Sequence, residues 1–349
     1  MKILYLYAEV MGYTMATIQA LVTSGAEVHV VHWDHKKLSA YRHSELNGVH
    51  FYPRSKMAVE AITSLAKDLL PSITVVSGWM DKGYLIIARQ LKRRGLSVVM
   101  GLDTQWRQSF RQSLLCLVGQ LGYFDQYFSH AWVAGVYQYE YALKLGFQRQ
   151  EILFDLYSAD LNLFNQTYAT SIESKKNLYP HRFLFVGRLE AIKGLDDLIA
   201  AWESLSAVRG DWQLHLIGDG SLKPMLLGKT GIVLKHFMQP DELINEIAKA
   251  GCFILPSHGE PWGVVLHEFS AAGLPLIVSD VVGASSAFLI SGFNGFTFPA
   301  NNGEALANKM LEIIEMTNAQ LLQMGHRSHQ AGQKITPETS AANLMSIVR

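Results

Sequence analysis

The feature that most constrains the fold is an alternation of short apolar runs with segments of helical periodicity, which occurs twice along the chain. Runs such as residues 97–100 lack a polar face and are typical of strands buried on both sides of a parallel sheet. The first alternating block ends near residue 155 and the second begins near residue 177. This pattern predicts two α/β units, each with a parallel sheet covered by helices on both faces.

Strands are predicted at 2–7, 27–32, 49–52, 73–77 and 97–100, and again at 183–186, 212–217, 232–234, 252–255 and 275–279. Helices are predicted at 13–24, 58–69 and 83–94, and then at 195–206, 222–227, 241–250 and 264–272. The stretch between 155 and 177 is rich in Asn, Ser and Thr, which indicates a linker. We therefore expect an N-terminal domain over 1–165 and a C-terminal domain over 166–330.

Composition excludes several classes of protein. Among 349 residues, 30 Lys and Arg balance 30 Asp and Glu, so a basic nucleic-acid-binding body is not expected. Two cysteines, Cys116 and Cys252, cannot form a disulfide framework. The opening residues lack the features of a signal peptide, and no apolar run reaches the length of a membrane span. These observations predict a cytoplasmic protein and leave peripheral contact with the inner face of the membrane open.

Residues 252–280 have the most informative local pattern: strand, loop, helix, glycine and strand. Seven residues separate Glu260 in the loop from Glu268 in the helix, so both carboxylates can face one cleft. Gly263, Val264 and Val265 provide backbone N–H groups at the helix start, where the helix dipole favours a phosphate. A carboxylate behind such a site suits a ribose diol, which donates two hydrogen bonds. The alternative interpretation is that both glutamates are solvated surface residues.

The same segment matches the signature of a large enzyme family at Ser257, Glu260, Gly263, Glu268, Ala272, Gly273, Pro275 and Gly283, and further at Asn294, Gly295 and Phe296. It resembles the retaining glycosyltransferases of family 4, also called glycosyl transferases group 1. The resemblance implies the GT-B fold, which has two Rossmann-like domains facing each other across a deep cleft. It also implies that the C-terminal segment, 331–349, crosses back to the N-terminal domain.

Residues 183–202 resemble the block that opens the donor-binding domain of this family. In that family, Arg188 and Lys193 correspond to the residues that hold the donor pyrophosphate. The chemistry agrees, because fixed cations stabilise the charge that a departing diphosphate gains. Arg offers a planar fork and Lys a mobile point charge. The alternative is a solvated Arg and Lys after a strand.

Other donor-binding positions follow from the resemblance alone. Gly218 and Gly220 are expected to let their turn pack beneath the nucleotide. His236 and Phe237 would lie where the nucleobase is bound. In the N-terminal domain, Gly12 would let the first helix start close to the donor phosphates.

Asp103 is the remaining candidate catalytic residue. The family often has a histidine immediately before it, but this chain has Leu102 there. Asp103 could orient the acceptor or a donor hydroxyl. It could equally be the N-cap of a helix that begins near Gln105.

Residues 106–121 carry an apolar stripe at helical spacing, formed by Trp106, Phe110, Ser113, Leu114, Leu117 and Leu121. Arg107 and Arg111 flank it, and Arg89, Lys92, Arg93 and Arg94 add to a basic region. The stripe could face an anionic membrane or a lipid-phosphate acceptor. A core-packing helix with solvated arginines is favoured over that alternative.

No metal site is predicted. His29, His32 and His35 are close in sequence, but no persuasive carboxylate or thiolate spacing accompanies them. The Asp-x-Asp motif of metal-dependent glycosyltransferases is absent. The expected protein is thus a metal-independent retaining glycosyltransferase of the hexosyltransferase type, without a cofactor. Its donor would be a UDP- or GDP-sugar, and its acceptor a hydroxyl of a glycan or lipid-linked saccharide. Two alternatives stay open: a non-catalytic nucleotide-sugar-binding or glycan-binding subunit, and a GT-B relative such as a nucleotide-sugar epimerase.

Overall fold

The computed structural model describes residues 1–35, 41–43 and 45–348. The chain divides into two units, each built around its own sheet. Unit 1 comprises Met1–Ser158 with Ile335–Arg349, and unit 2 comprises Ala159–Lys334. The sequence-based boundaries at residues 165 and 330 both fall inside unit 2.

The elements of unit 1 up to residue 158 are β1 Lys2–Tyr7, α1 Gly12–Thr23, β2 Glu27–His32, β3 Val49–Pro53, α2 Val59–Leu69, β4 Ile73–Val76, α3 Lys82–Arg93, β5 Ser97–Leu102, α4 Phe110–Gln120, β6 His130–Val133, α5 Val136–Lys144 and β7 Ile152–Leu153. Those of unit 2 are α6 Leu161–Asn177, β8 Arg182–Val186, α7 Leu195–Ser204, β9 Gln213–Ile217, α8 Lys223–Leu226, β10 Ile232–Lys235, α9 Pro240–Ala248, β11 Cys252–Leu255, α10 Val264–Ala271, β12 Leu276–Ser279, α11 Ser285–Phe288, β13 Gly295–Phe298, α12 Gly303–Glu315 and α13 Asn318–Gly332. The last helix, α14 Pro337–Met345, belongs to unit 1.

Both sheets are parallel and share one strand order. Unit 1 has the order β3-β2-β1-β4-β5-β6-β7, and unit 2 has β10-β9-β8-β11-β12-β13. In each sheet the chain moves outward from its first strand, then returns to continue on that strand's other side. This creates a switch point between β1 and β4 and another between β8 and β11. Ligands of such sheets bind beyond the carboxyl ends of the strands at the switch point. The predicted pair of parallel α/β units is confirmed.

The C-terminal helix α14 packs on α1 within unit 1. The hydroxyl groups of Thr17 and Ser340 lie 3.2 Å apart in a buried contact. The Ser340 hydroxyl also donates to the backbone carbonyl of Asp155 at 2.7 Å. The last segment of the chain is therefore tied to the sheet that the first segment begins.

The predicted linker between 155 and 177 was wrong, because residues 161–177 form the helix α6. Asp160 caps it by accepting a hydrogen bond from the Leu163 N–H. Its buried face includes Thr167 and Ser171, whose hydroxyls donate to carbonyls one turn earlier. Hydroxyl side chains satisfied in this way can occupy a buried face, so apolar periodicity alone did not reveal the helix.

The predicted core-packing stripe on the helix after β5 was also wrong. The helix begins at Phe110 with Ser109 as its N-cap, and Phe110, Leu114, Leu117 and Leu121 are exposed. The helix instead packs through Gly119, against the backbone of the residues that follow α5. A Cβ on Gly119 would lie 2.4 Å from the Leu145 carbonyl oxygen. That close approach fixes which face of α4 turns inward.

Within the described residues, no helix combines the length and apolar character needed to cross a bilayer.

Replacing Gly119 with Ala should cost unit 1 about 2–4 kcal/mol of unfolding free energy, because the added methyl overlaps the Leu145 backbone. Ser113→Ala, on the exposed side of the same helix, should stay within about 0.5 kcal/mol of the parent. Urea unfolding followed by circular dichroism measures both. Equal stability of the two variants would contradict this packing.

Candidate functional site

The candidate site lies in unit 2, at the carboxyl ends of the adjacent strands β8 and β11 on either side of the switch point. The loop after β8 contains Arg188 and a single 3-10 turn, Ala191–Lys193. The loop after β11 contains Ser257 and Glu260 and leads into α10. Two segments singled out separately in the sequence are thus neighbours in space.

Backbone and side-chain contacts fix the two loops to each other. The His258 N–H donates to the Ile192 carbonyl at 2.9 Å, and the His258 ring donates through Nε2 to Asp197 at 2.9 Å. Gly194 has φ of +66°, and a Cβ there would lie 2.0 Å from the Pro256 carbonyl oxygen. Only glycine fits this position, for both conformational and steric reasons.

Lys193 and Glu260 form an ion pair across the loops, and both side chains are mostly buried. The Ser257 hydroxyl donates to the same Glu260 oxygen at 3.5 Å. Arg188, by contrast, is exposed at the start of the β8 loop. The structure therefore brings Lys193 together with Glu260 and leaves Arg188 open to solvent.

The helix α10 begins directly beside Glu260. Its N-cap is Gly263, with φ of +89°, and a Cβ there would lie 2.9 Å from the Glu260 Cγ. No side chain of the described residues caps this helix. The amides of Val264 and Val265 are the first of the helix, and they favour an anion because the positive end of the helix dipole lies there.

Glu268 lies one turn into α10 and is half-buried. Burial raises the pKa of its carboxyl group to about 7, and the negative charge of Asp160 adds to the increase. Within the described part of the chain, no hydrogen bond is made to this carboxyl group. A ligand with hydroxyl donors would stabilise the ionised carboxylate, because hydrogen-bond donors favour the charged form.

A further hydrogen-bonded cluster follows β9 and β10. Asp219 accepts from Lys223 Nζ at 2.6 Å and from the Phe237 N–H at 2.9 Å. These two donors lower the pKa of Asp219. Lys223 also donates to His236 Nδ1 at 2.7 Å, and most of the His236 side chain is exposed. His236 and Phe237 thus lie beside the Gly218–Gly220 turn.

The Gly218–Gly220 turn packs closely against the loop after β8. A Cβ on Gly218 would lie 1.9 Å from the Gly187 carbonyl oxygen, and one on Gly220 would lie 2.4 Å from that of Leu189. The loops after β8 and β9 therefore touch through bare backbone.

In unit 1, Gly12 is the first residue of α1, and a Cβ there would make only ordinary contact, 3.7 Å from the Tyr41 hydroxyl. The fold alone therefore does not require glycine at this position. Asp103 follows β5, where its carboxylate accepts from the Tyr157 hydroxyl at 3.3 Å. It does not cap α4, whose N-cap is Ser109, so the capping alternative was wrong.

Two groups of described residues could each offer three ligand atoms to a metal ion: Glu27, His29 and His50 in unit 1, and Asp196, Asp197 and His258 in unit 2. The first group arises because β2 and β3 place His29 beside His50, which sequence spacing did not reveal. In the second group, His258 already donates to Asp197 and holds the β8 loop in place.

Residues 169–333 match the family described as "Glycosyl transferases group 1". This part of the chain belongs to that family, and the whole chain has the GT-B fold of two Rossmann-like domains.

Relatives support both statements. Glycogen synthase of Mycobacterium tuberculosis is 30% identical over 169 residues, which are 46% of this chain and 39% of the relative's length. The glycosyltransferase CapM of capsular polysaccharide biosynthesis in Staphylococcus aureus is 25% identical over 85% of this chain and 83% of its own. The structure of Anabaena HepE in complex with UDP superposes with a TM-score of 0.72, at 15% identity, covering 99% of each chain.

Sequence reasoning missed several residues of the site. Asp197 and His258, which fix the loops, were passed over because neither belongs to a spaced motif. Asp219 was treated only as part of a glycine turn. Asp160 lies in the stretch that was predicted to be a linker, so the sequence did not indicate that its charge raises the pKa of Glu268.

Gly194→Ala should lose about 2–4 kcal/mol of unfolding free energy, through backbone strain and overlap with Pro256. Gly210→Ala is the matched control. Gly210 has φ of +57°, and nothing lies within 4 Å of an added Cβ. This substitution should therefore lose only about 1 kcal/mol of unfolding free energy, from backbone strain alone. Chemical denaturation measures the difference. If the two losses were equal, the loops would not be in the contact described.

Glu268→Gln should make the protein more stable at pH 8 and change little at pH 4. The folded-state pKa, about 7, lies above the ordinary value near 4.5, so the folded chain loses stability as the pH rises from about 4.5 to about 7 and keeps that loss at pH 8. The expected gain at pH 8 is about 1–3 kcal/mol. Glu60→Gln, on an exposed face of α2, is the control and should not gain stability at pH 8. A gain that is constant from pH 4 to pH 8 would argue against a buried carboxyl group.

Proposed function

We propose that the protein is a glycosyltransferase that moves a sugar from a nucleoside-diphosphate sugar to an acceptor hydroxyl. The observation that carries the proposal is the meeting of Lys193, Glu260 and the α10 N-terminus at a switch point, inside the segment that matches the glycosyltransferase family. The UDP complex of HepE, a neighbour in fold, favours a uridine nucleotide among the expected UDP- and GDP-sugars.

The proposed diphosphate site uses cations and amides. Lys193 would leave its pair with Glu260 for the phosphates, and the exposed Arg188 would close on them from the same loop. The amides of Val264 and Val265 would support a phosphate or the sugar, with Gly263 allowing close approach. As the bond between the anomeric carbon and the phosphate oxygen breaks, these groups stabilise the charge that develops on the leaving group. On this proposal the reaction needs no metal ion.

Glu260 and Glu268 have different proposed roles. Once Lys193 turns to the phosphates, Glu260 can accept hydrogen bonds from donor-sugar hydroxyls or stabilise the oxocarbenium-like centre. Glu268 would bind the ribose diol, which supplies the two donors that its carboxyl group lacks within the described residues. His236 and Phe237 would contact the nucleobase, and Gly12 the donor phosphates.

We further propose retention of anomeric configuration by attack on the same face as the leaving group. In that reaction the departing phosphate oxygen takes the acceptor proton, so Leu102 in place of a histidine is compatible with turnover. Asp103, held by Tyr157, would orient the acceptor or a donor hydroxyl. The relatedness to CapM favours a saccharide or lipid-linked acceptor in polysaccharide synthesis.

The test is a panel of UDP-, GDP- and ADP-sugars, with binding followed by thermal shift and slow hydrolysis by nucleotide release. The preferred donor should raise the melting temperature by mass action and be hydrolysed. Lys193→Ala should lower that hydrolysis about 10²-fold or more at saturating donor, the scale of one lost electrostatic stabiliser. Lys229→Ala, which removes another Lys–Glu pair of unit 2, should leave the rate unchanged.

Each other outcome is informative. Tight donor binding without hydrolysis or transfer to any acceptor would favour the non-catalytic subunit. Conversion of the donor to its epimer would favour an epimerase. A folded Lys193→Ala variant with the parent rate would remove Lys193 from the proposed site.

A further inference from the structure

Helix α4 is apolar on two sides. Leu115 and Cys116 pack towards the core of unit 1, and Gly119 is buried against the residues after α5. On the outer side, four large apolar side chains are exposed: Phe110 by 84%, Leu114 by 54%, Leu117 by 61% and Leu121 by 81%. At 3.6 residues per turn these four lie within about 60° of one another. They form one stripe, which we call the α4 stripe.

A surface helix ordinarily presents polar side chains outward, and a helix that is apolar all round is normally covered on all sides. A contiguous exposed apolar patch marks a surface that binds another body. The stability of unit 1 does not explain the α4 stripe, because the helix already packs through its opposite side. The stripe therefore calls for an occupant that the folded chain does not supply within its described residues.

The charges around the stripe indicate what that occupant is. Residues 104–124 contain two arginines and no aspartate or glutamate, and the first carboxylate beyond them is the exposed Asp125, after the C-terminal end of α4. Arg111 follows Phe110 in the first turn of α4, Arg107 lies in the segment just before the helix, and both are exposed. Apolar side chains flanked by cations and free of carboxylates are typical of helices that lie in the surface of an anionic membrane.

A second copy of the chain fits this face less well. Residues 104–125 of each copy hold two arginines against the single carboxylate of Asp125, so a symmetric dimer formed through the stripe would bring two surfaces of net positive charge together. Asp125 compensates only one of the two arginines in each copy. Anionic lipid headgroups provide that compensation.

We propose that α4 docks unit 1 onto an anionic membrane surface. The α4 stripe enters the boundary between headgroups and acyl chains, and Arg107 and Arg111 bind lipid phosphates. This docking does not depend on the proposed transferase activity, and it is measured without any sugar donor.

The experiment is co-sedimentation of the full chain with vesicles, either of phosphatidylglycerol mixed equally with phosphatidylcholine or of phosphatidylcholine alone. We expect tighter binding to the anionic vesicles, weakened by salt. Arg107→Glu/Arg111→Glu should weaken binding to the anionic vesicles about 25-fold or more. Each positive charge that is lost contributes a factor of about five. Phe110→Ser/Leu114→Ser should weaken the same binding about tenfold or more.

Matched controls lie in unit 2. Leu178→Ser/Leu227→Ser removes two side chains that are also strongly exposed, and Lys249→Glu reverses an exposed charge. Both should bind vesicles like the parent chain. All variants should keep the parent melting temperature, because the substituted side chains are exposed.

Four results would overturn the proposal. They are no binding to anionic vesicles, equal binding to both kinds of vesicle, equal weakening by the unit 2 controls, and a dimer that Phe110→Ser/Leu114→Ser dissolves but that does not bind vesicles. The last result would assign the stripe to a second copy of the chain.

Discussion

The candidate site depends on one steric constraint, the contact of the β8 loop with the β11 loop through bare backbone. Gly194 leaves no room for a side chain against Pro256, and His258 holds the same two loops together through Ile192 and Asp197. Because the strands are parallel and adjacent, both loops emerge at one edge of the sheet. That contact places Lys193 where it can pair with Glu260, and it places both beside the first amides of α10.

Much of this arrangement follows from the sequence. Strands such as β1 and β11 are almost entirely apolar, and their predicted bounds agree with the structure. The order of motif and strand then places Arg188, Lys193 and Glu260 at one sheet edge. The pairing of Lys193 with Glu260 could not be predicted. The order of strands and motifs indicates at which edge of the sheet a side chain lies, but it does not indicate which side chain it contacts there.

The failures share a physical origin. In α6, buried hydroxyl groups that donate to the helix's own carbonyls concealed its periodicity. The strands β6 and β7 are only four and two residues long, too short for a pattern to stand out. In α4, the periodicity was real, but it could not tell which face packs inward. Gly119 decides which face packs inward, because a residue without a side chain allows α4 to approach the Leu145 backbone most closely.

Two features of the structure run against stability, and both lie where function is proposed. Burial disfavours the ionised form of the Glu268 carboxyl group. A neutral polar side chain at the same position would destabilise the folded chain less. The α4 stripe keeps four large apolar side chains in water. Local violations of folding rules are expected at functional sites, because a ligand rather than the chain itself completes the interaction. The two violations differ in the partner they require. An unsatisfied carboxyl group needs hydrogen-bond donors, whereas an apolar stripe between arginines needs an apolar phase with anionic groups at its boundary.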